Sequence, residues 1–89
     1  MKAVVTVVGK DRVGIIAAVC TKLAEYRVNV LDISQTVMQG YFTMMMVVDV
    51  SASDLPLAEL ARQMEEKGKE MNLSIRLQRE DIFDAMHRV

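Results

Sequence analysis

Tryptophan is absent from this chain, and cysteine, histidine and proline occur once each among its 89 residues. Each scarcity removes a class of protein. The lone thiol, Cys20, rules out an internal disulfide and a cysteine-based zinc site, and it fits a reducing compartment. The lone imidazole, His87, leaves no histidine cluster to hold a catalytic metal. Two Tyr and two Phe offer little stacking surface, and a net charge of −1 gives no electrostatic footprint for nucleic acid. The apolar run at 3–8 is far shorter than a signal peptide's core or the roughly 20 residues of a membrane span. A cytoplasmic protein with no membrane partner and no cofactor is therefore expected.

What is present reads as a folded domain. Hydrophobic residues make up 52% and charged residues 26% of the chain, outside the range of disordered segments. With no linker, repeat or low-complexity tract, residues 1–89 are expected to form a single domain, with 81–89 as a helical tail. So short a chain buries a modest share of its surface, and pairing with a second copy is an ordinary way to widen the margin.

The apolar pattern divides the chain into strand, helix, strand, strand, helix, strand and tail. Residues 3–8 are β-branched and almost wholly apolar, as in a central strand buried on both sides. Gly9-Lys10-Asp11-Arg12 breaks the run. From Val13 to Tyr26 apolar residues recur at helical spacing through Ile16, Val19, Cys20 and Leu23, and Asp11 is placed to cap that helix. Beyond Arg27, Val28 and Val30 share one strand phase whereas Leu31, Ile33 and Val37 share the other; either the strand begins near Leu31 or a bulge sits there. Gly40 marks a hairpin, after which Phe42, Met44, Met46, Val48 and Val50 line one face. Ser53 or Asp54 is expected to cap a second helix with Pro56 in its first turn and a buried stripe of Leu57, Leu60, Ala61, Met64 and Met71. Leu73, Ile75 and Leu77 alternate with Ser74, Arg76 and Gln78. Asp81 is placed to cap a short final helix carrying Ile82, Phe83, Met86 and Val89.

Right-handed, non-crossing connections turn this order into an α+β, ferredoxin-like βαββαβ fold: a four-stranded antiparallel sheet with two helices on one face and a short C-terminal helix. The second and fourth strands are then the edges. Between Val28 and Gln39 the second strand carries one charge, Asp32, and an edge so weakly guarded invites a strand from a second copy across a two-fold axis.

Catalytic groups are hard to find. Cys20 falls on an apolar stripe and reads as a small core hydrophobe; His87 reads as a solvated helix-end residue. Glu59, Glu65, Glu66 and Glu70 lie among Lys67 and Lys69 as a solvated helix face, with no carboxylate pair spaced for acid–base work. Met44-Met45-Met46 alternates faces, giving core on one side and, at Met45, an adaptable surface on the other. The segment from Gly9 to Ile16 carries more. It joins a strand to a helix N-terminus, whose unsatisfied N–H groups and dipole suit an anion such as a carboxylate. Gly14 leaves room for close approach, and Asp11 suits an ammonium group. Asp11, Arg12, Val13 and Gly14 together would hold a zwitterion. The plainer alternative is that Asp11 only caps the helix and Gly14 only permits tight packing.

Gly9-Lys10-Asp11-Arg12-Val13-Gly14-Ile15, followed by Asn29-Val30-Leu31-Asp32-Ile33, resembles the ACT domain, a small-molecule regulatory domain attached to many enzymes of amino-acid metabolism. The likeness covers nearly the whole chain. It is nearest to the stand-alone ACT proteins akin to the halves of the glycine-cleavage-system repressor, with Asp32 to Val37, Phe42-Thr43-Met44 and Asp81 to Arg88 as further hallmarks. The resemblance implies a homodimer joined side by side, with an amino-acid ligand between the first loop of one subunit and the second strand of the other. Asp11 and Gly14 would come from one chain and Asn29 from its partner, with Leu31 and Ile33 flanking the interface. The family's amino-acid binders often carry His or Asn in the loop, where this chain has Gly9 and Asp11.

Two rival readings remain. A structural or protein-interaction module would pair through its sheet edge with another protein and bind no small ligand, the amphipathic tail contributing. An enzyme on the same fold is suggested by Gly9-x-x-Arg12-Val13-Gly14, which faintly resembles the phosphate-cradling loop of acylphosphatases, although the spacing differs and the expected Asn is missing. A metal chaperone would need a Cys-x-x-Cys loop, and RNA recognition would need more than Tyr41 and Phe42 and a basic charge.

Overall fold

Side chains alternate faces along a strand, so a strand with every second residue apolar binds its sheet to one layer of helices. The computed structural model describes residues 1–10 and 14–86. It resolves the pattern into β1 (Lys2–Lys10), α1 (Ile15–Glu25), β2 (Asn29–Met38), β3 (Tyr41–Asp49), α2 (Leu57–Glu70), β4 (Ser74–Arg79) and α3 (Glu80–Met86). The sheet order is β2-β3-β1-β4 with every neighbour antiparallel, the ferredoxin-like arrangement expected, with β2 and β4 at the edges.

The core is a single layer between sheet and helices. Ala3, Val5 and Val7 of β1 and Phe42, Met44, Met46 and Val48 of β3 face Ile15, Val19 and Leu23 of α1 and Leu60 and Met64 of α2, with Ile75 and Leu77 completing it from β4. Burial of each such side chain is worth about 1.5–3 kcal/mol. The other sheet face is covered only in part. There Val4 is buried, Thr6 half-buried and Val8 exposed, so the expectation that the first strand is buried on both sides holds only at its start. What covers that start is α3, which packs on β1 and β4 with its Glu80 and Asp84 around the same hollow as Val4, Met45 and Val47.

Both long helices end in the same device. At α1, Arg27 N–H donates to the Ala24 carbonyl (3.0 Å) and Val28 N–H to that of Leu23 (3.1 Å). At α2, Asn72 N–H donates to Lys69 (3.3 Å) and Leu73 N–H to Gly68 (2.8 Å). These are Schellman closures, which require a left-handed residue; Arg27 (φ 61) and Asn72 (φ 57) supply it without glycine. The β2–β3 hairpin turns on Gln39 (φ 50) and Gly40 (φ 82), two positive φ values that match the twist of the flanking strands.

Helix starts depart from the sequence reading. The N-cap of α1 is Gly14, which makes no side-chain cap, three residues past the expected Asp11. The buried stripe shifts by one residue to Ile15, Val19 and Leu23, leaving Cys20 half-buried and Ile16 exposed. In α2 the N-cap is Pro56, its carbonyl accepting from Leu60 N–H at 2.9 Å, rather than Ser53 or Asp54. Ser53 instead turns its hydroxyl on the Leu55 backbone. Gly68 joins Leu60 and Met64 in the buried stripe, whereas Leu57, Ala61 and Met71 are half-buried. Asp81 lies inside α3 and pairs with Arg79. The side chains of Phe83 and Met86, together with His87 and Val89, fall outside the described residues.

Two outcomes follow for α2. A Cβ on Gly68 would stand 2.7 Å from the Leu73 carbonyl oxygen and 3.0 Å from Ile75. Alanine gains about 1 kcal/mol of helix propensity over glycine, but crowding a packed site costs about 1–3 kcal/mol. Gly68→Ala is therefore expected to lower the melting temperature; a rise would show that the β4 backbone yields freely. On the exposed face Arg62 bonds both Glu59 and Glu66, and the Arg62 bond holds the Glu59 carboxyl down to about 2 from an ordinary 4.5. A carboxyl depressed by folding stabilises above its unfolded value and loses that contribution as pH falls through its folded one. Between pH 4.5 and about 2 the melting temperature should fall more steeply in the parent protein than in Glu59→Gln.

Candidate functional site

A left-handed backbone at a helix start needs glycine, and Gly14 occupies that conformation with φ 91. It is exposed, and a Cβ placed on it would meet no atom of the described residues within 4 Å. Among the described residues, the glycine thus serves conformation and openness rather than close packing. Ala18 N–H donates to its carbonyl at 2.9 Å, and the first turn of α1 contains no acidic residue. A helix N-terminus without a carboxylate beside it keeps its favourable field for an incoming anion. Asp11, Arg12 and Val13 lie outside the described residues. Lys10, the neighbour on β1, is exposed.

The second half of the expected site is the β2 edge. Its register with β3 is broken between Val30 and Asp32, which makes Leu31 the extra residue of a bulge and resolves the two phases seen in the sequence. Before the bulge Val28 and Val30 turn toward the core. After it Ile33 pairs with the buried Met46 and Val37 with the buried Phe42, so both lie on the helix side of the sheet. Yet they remain 41% and 54% exposed, with Leu31 at 46% and Ile16 of α1 at 37%. The apolar row overhangs the helix layer instead of entering it. Asn29, exposed and in register with Asp49, lies on the opposite face.

Within one chain these parts are apart. Gly14 precedes α1 and Asn29 follows it, so the 11-residue helix separates them by roughly 16 Å at the helical rise. A strand laid antiparallel along the β2 edge of another copy reverses that relation. The far end of one β2, where Asn29 begins it, then meets the end of the other subunit at which Gly14 sits. Leu31 and Ile33 lie between those ends, exposed on the β2 edge. Ile16, assigned to the core by spacing, is exposed instead. The signal that could have found it is its position two residues after a glycine that starts the helix.

Charge around the edge is sparse. Asp32 accepts from the Ile33 N–H at 2.9 Å. Asp49, beside Asn29, accepts from the Ser51 N–H at 2.9 Å and faces the terminal ammonium at 3.7 Å, and these hold its carboxyl below the usual range, the Ser51 bonds foremost. At the other end of α1 the Tyr26 hydroxyl, ahead of Glu25, raises the Lys22 ammonium, which stands 5.2 Å from the Tyr26 ring centre. The hollows of about 410 Å³ between α2 and β4 and about 260 Å³ beside α3 lie away from Gly14. Among the described residues no group of three or more His, Cys, Asp or Glu is placed to hold a metal, and no helix is long and apolar enough to cross a membrane.

Comparison with known proteins meets this geometry. The sequence profile of the ACT domain matches residues 2–78. A UPF0237 protein of Clostridium acetobutylicum is 53% identical over 89 residues, covering 100% of both chains. A solved ACT domain protein from Streptococcus pneumoniae superposes with a TM-score of 0.83 at 47% identity over 98% of each chain. A putative glycine cleavage system transcriptional repressor shares the fold, with a TM-score of 0.73 at 23% identity over 86% of this chain and 44% of that one. The βαββαβ order is thus that of a family of regulatory small-ligand-binding modules: the chain belongs to the ACT domain family, in its UPF0237 branch.

Proposed function

We propose that this protein is a non-enzymatic sensor working as a homodimer, two copies joined along β2 and a small zwitterion, an amino acid, held at each end of the seam. The observation that carries the reading is the separation of the site's parts. An open glycine notch and the residues fitted to close it lie at opposite ends of α1, and a two-fold axis at the β2 edge is what joins them. The overhanging row of Leu31, Ile33 and Val37 supplies the apolar contact for that axis.

In this arrangement the ligand carboxylate sits on the N–H groups at the start of α1, where the dipole favours negative charge. Asp11 receives the ammonium, Arg12 and Val13 continue the loop, and Asn29 and Leu31 of the second copy close the pocket. A ligand held by both copies binds the closed seam more tightly than a separated chain. It shifts the population toward one arrangement, which a regulated protein then reads. Residues 1–89 act as one unit in the cytoplasm, and no chemistry on the ligand is required.

Melting the protein with each amino acid in turn tests the reading, because a ligand that binds only the folded dimer adds about 2.7 kcal/mol at one hundred times its Kd. A rise with one or a few amino acids is expected. A confirmed dimer with a flat response to all of them sinks the ligand and leaves the protein-interaction reading; a monomer at every concentration sinks the sensor and leaves only pairing with a different protein. Ile33→Lys should yield monomers and abolish the ligand response together. Gly14→Val should cost about 1–2 kcal/mol for a side chain in left-handed backbone and remove the response while the dimer persists.

A further inference from the structure

A carboxylate and an ammonium are common to every amino acid, so a site tells one from another by what the side chain meets. Helical geometry settles which residues of α1 stand toward the β2 edge. Ile15, Val19 and Leu23 are buried against the sheet. Ala18, Lys22 and Glu25 border a hollow shared with Lys67 of α2, which places α2 on that flank. Ile16 and Cys20, one turn apart, therefore lie on the opposite flank. That flank is turned toward β2, since α1 packs on β2 and α2 on β4. On the sheet, Val37 stands in register with Phe42 and Phe42 with Gly9. Val37 thus closes the helix-side row of β2 at the end of the sheet from which β1 leads to Gly14. Ile16 and Val37 are both exposed and share that end with the open glycine. The charges lie elsewhere. Lys10 and Asp32, in register with Tyr41 and Val47, are on the far face of the sheet, and Lys22, Glu25 and Lys67 are on the α2 flank. The polar side chain of the row, Gln35, is uncharged and stands between Ile33 and Val37.

Resting on the dimer proposed above, we infer that the ligand is an amino acid with an aliphatic side chain larger than a methyl group, received by Ile16 and Val37 of one copy and Leu31 of the other. Two observations carry this choice. First, pairing along β2 brings the start of the second copy's strand, with its exposed Leu31, to the end where Ile16 and Val37 stand. Near the two-fold axis Ile33 and Gln35 meet their own copies, whereas the three apolar side chains beside the notch face the ligand. The bulge is what frees Leu31 for this: it has no partner on β3, and a bulge re-aims its extra residue. Second, among the described residues no charged side chain stands on this flank of α1. A charged ligand side chain would be desolvated there without a partner, which is costly, whereas an aliphatic one gains from leaving water. A serine hydroxyl gains nothing from such walls, and glycine has no side chain to reach them. Ile16, Val37 and Leu31 are thereby specificity-determining residues, and the carboxylate and ammonium contacts supply what all amino acids share.

The test is calorimetric titration of the full chain with glycine, alanine, valine, leucine, serine, glutamate and lysine. Affinity should rise from glycine through alanine to valine and leucine, by about tenfold for each added methylene. Serine, glutamate and lysine should bind no more tightly than alanine. Ile16→Ala, at an exposed position, should narrow the gap between leucine and alanine by about tenfold or more. Ile16→Lys, which sets an ammonium in the same place, should turn the preference from leucine to glutamate, a reversal that a merely structural role would not produce. Circular dichroism and dimer mass matching the parent establish that both variants are folded and paired. Serine, glutamate or lysine binding the parent more tightly than leucine overturns the inference and leaves the zwitterion sensor standing; tight glutamate would give the side-chain contact to Arg12. An unchanged preference in both Ile16 variants also overturns it. No binding of any amino acid to a confirmed dimer sinks the ligand reading itself, and this inference with it.

Discussion

The helix-facing side chains of β1 and β3 form the centre of the core, and the rest of the molecule is arranged around what their packing against α1, α2 and β4 leaves uncovered. Ala3, Val5 and Val7 lie beside Met44, Met46 and Val48 in register, and α1 and α2 close over them. A layer already filled at close-packed density admits no further large side chains without strain. The apolar residues of β2 beyond its bulge therefore stay at the rim, on the helix side of the sheet but outside the helix layer.

The bulge at Leu31 sets which residues those are. Had β2 kept the phase of Val28 and Val30, Asp32 and Ser34 would have lain on the helix side and Ile33 and Val37 on the open face. One extra residue reverses this. It gives the edge an apolar row on one side and leaves Asn29, Asp32 and Ser34 on the other. The same edge carries little charge, so nothing in it repels an added strand. Gly14 provides the complementary feature: a helix start with left-handed backbone, no described residue crowding it and no acidic side chain in the first turn.

Much of the architecture was legible before any coordinates. The alternation of Phe42, Met44, Met46, Val48 and Val50 and of Leu73, Ile75 and Leu77 marked buried faces because period two is a local property of a strand. The conflict of phases at Leu31 left two explanations, a later strand start or a bulge, and the register with β3 selects the bulge. The helix starts were less legible. Asp11, Ser53 and Asp54 are good capping residues by type, but Gly14 and Pro56 hold the N-cap positions, their carbonyls accepting from Ala18 and Leu60 N–H. Gly68, absent from the stripe read by spacing, is a contact point, a fact set by Leu73 and Ile75 beyond the helix.

The sequence by itself determined the order and kind of the elements, the filled face of β1 and β3, and the candidate loop from Gly9 to Ile16, since each of these follows from neighbouring residues and their periodicity. Tertiary structure alone decided that Ile16, Ile33 and Val37 stay at the surface, that α3 covers one end of the far sheet face and bares the other, and that Gly14 and Asn29 stand at opposite ends of one helix. Those outcomes depend on how wide the helix layer is and where it stops, which is a property of the packed solid and not of any stretch of chain.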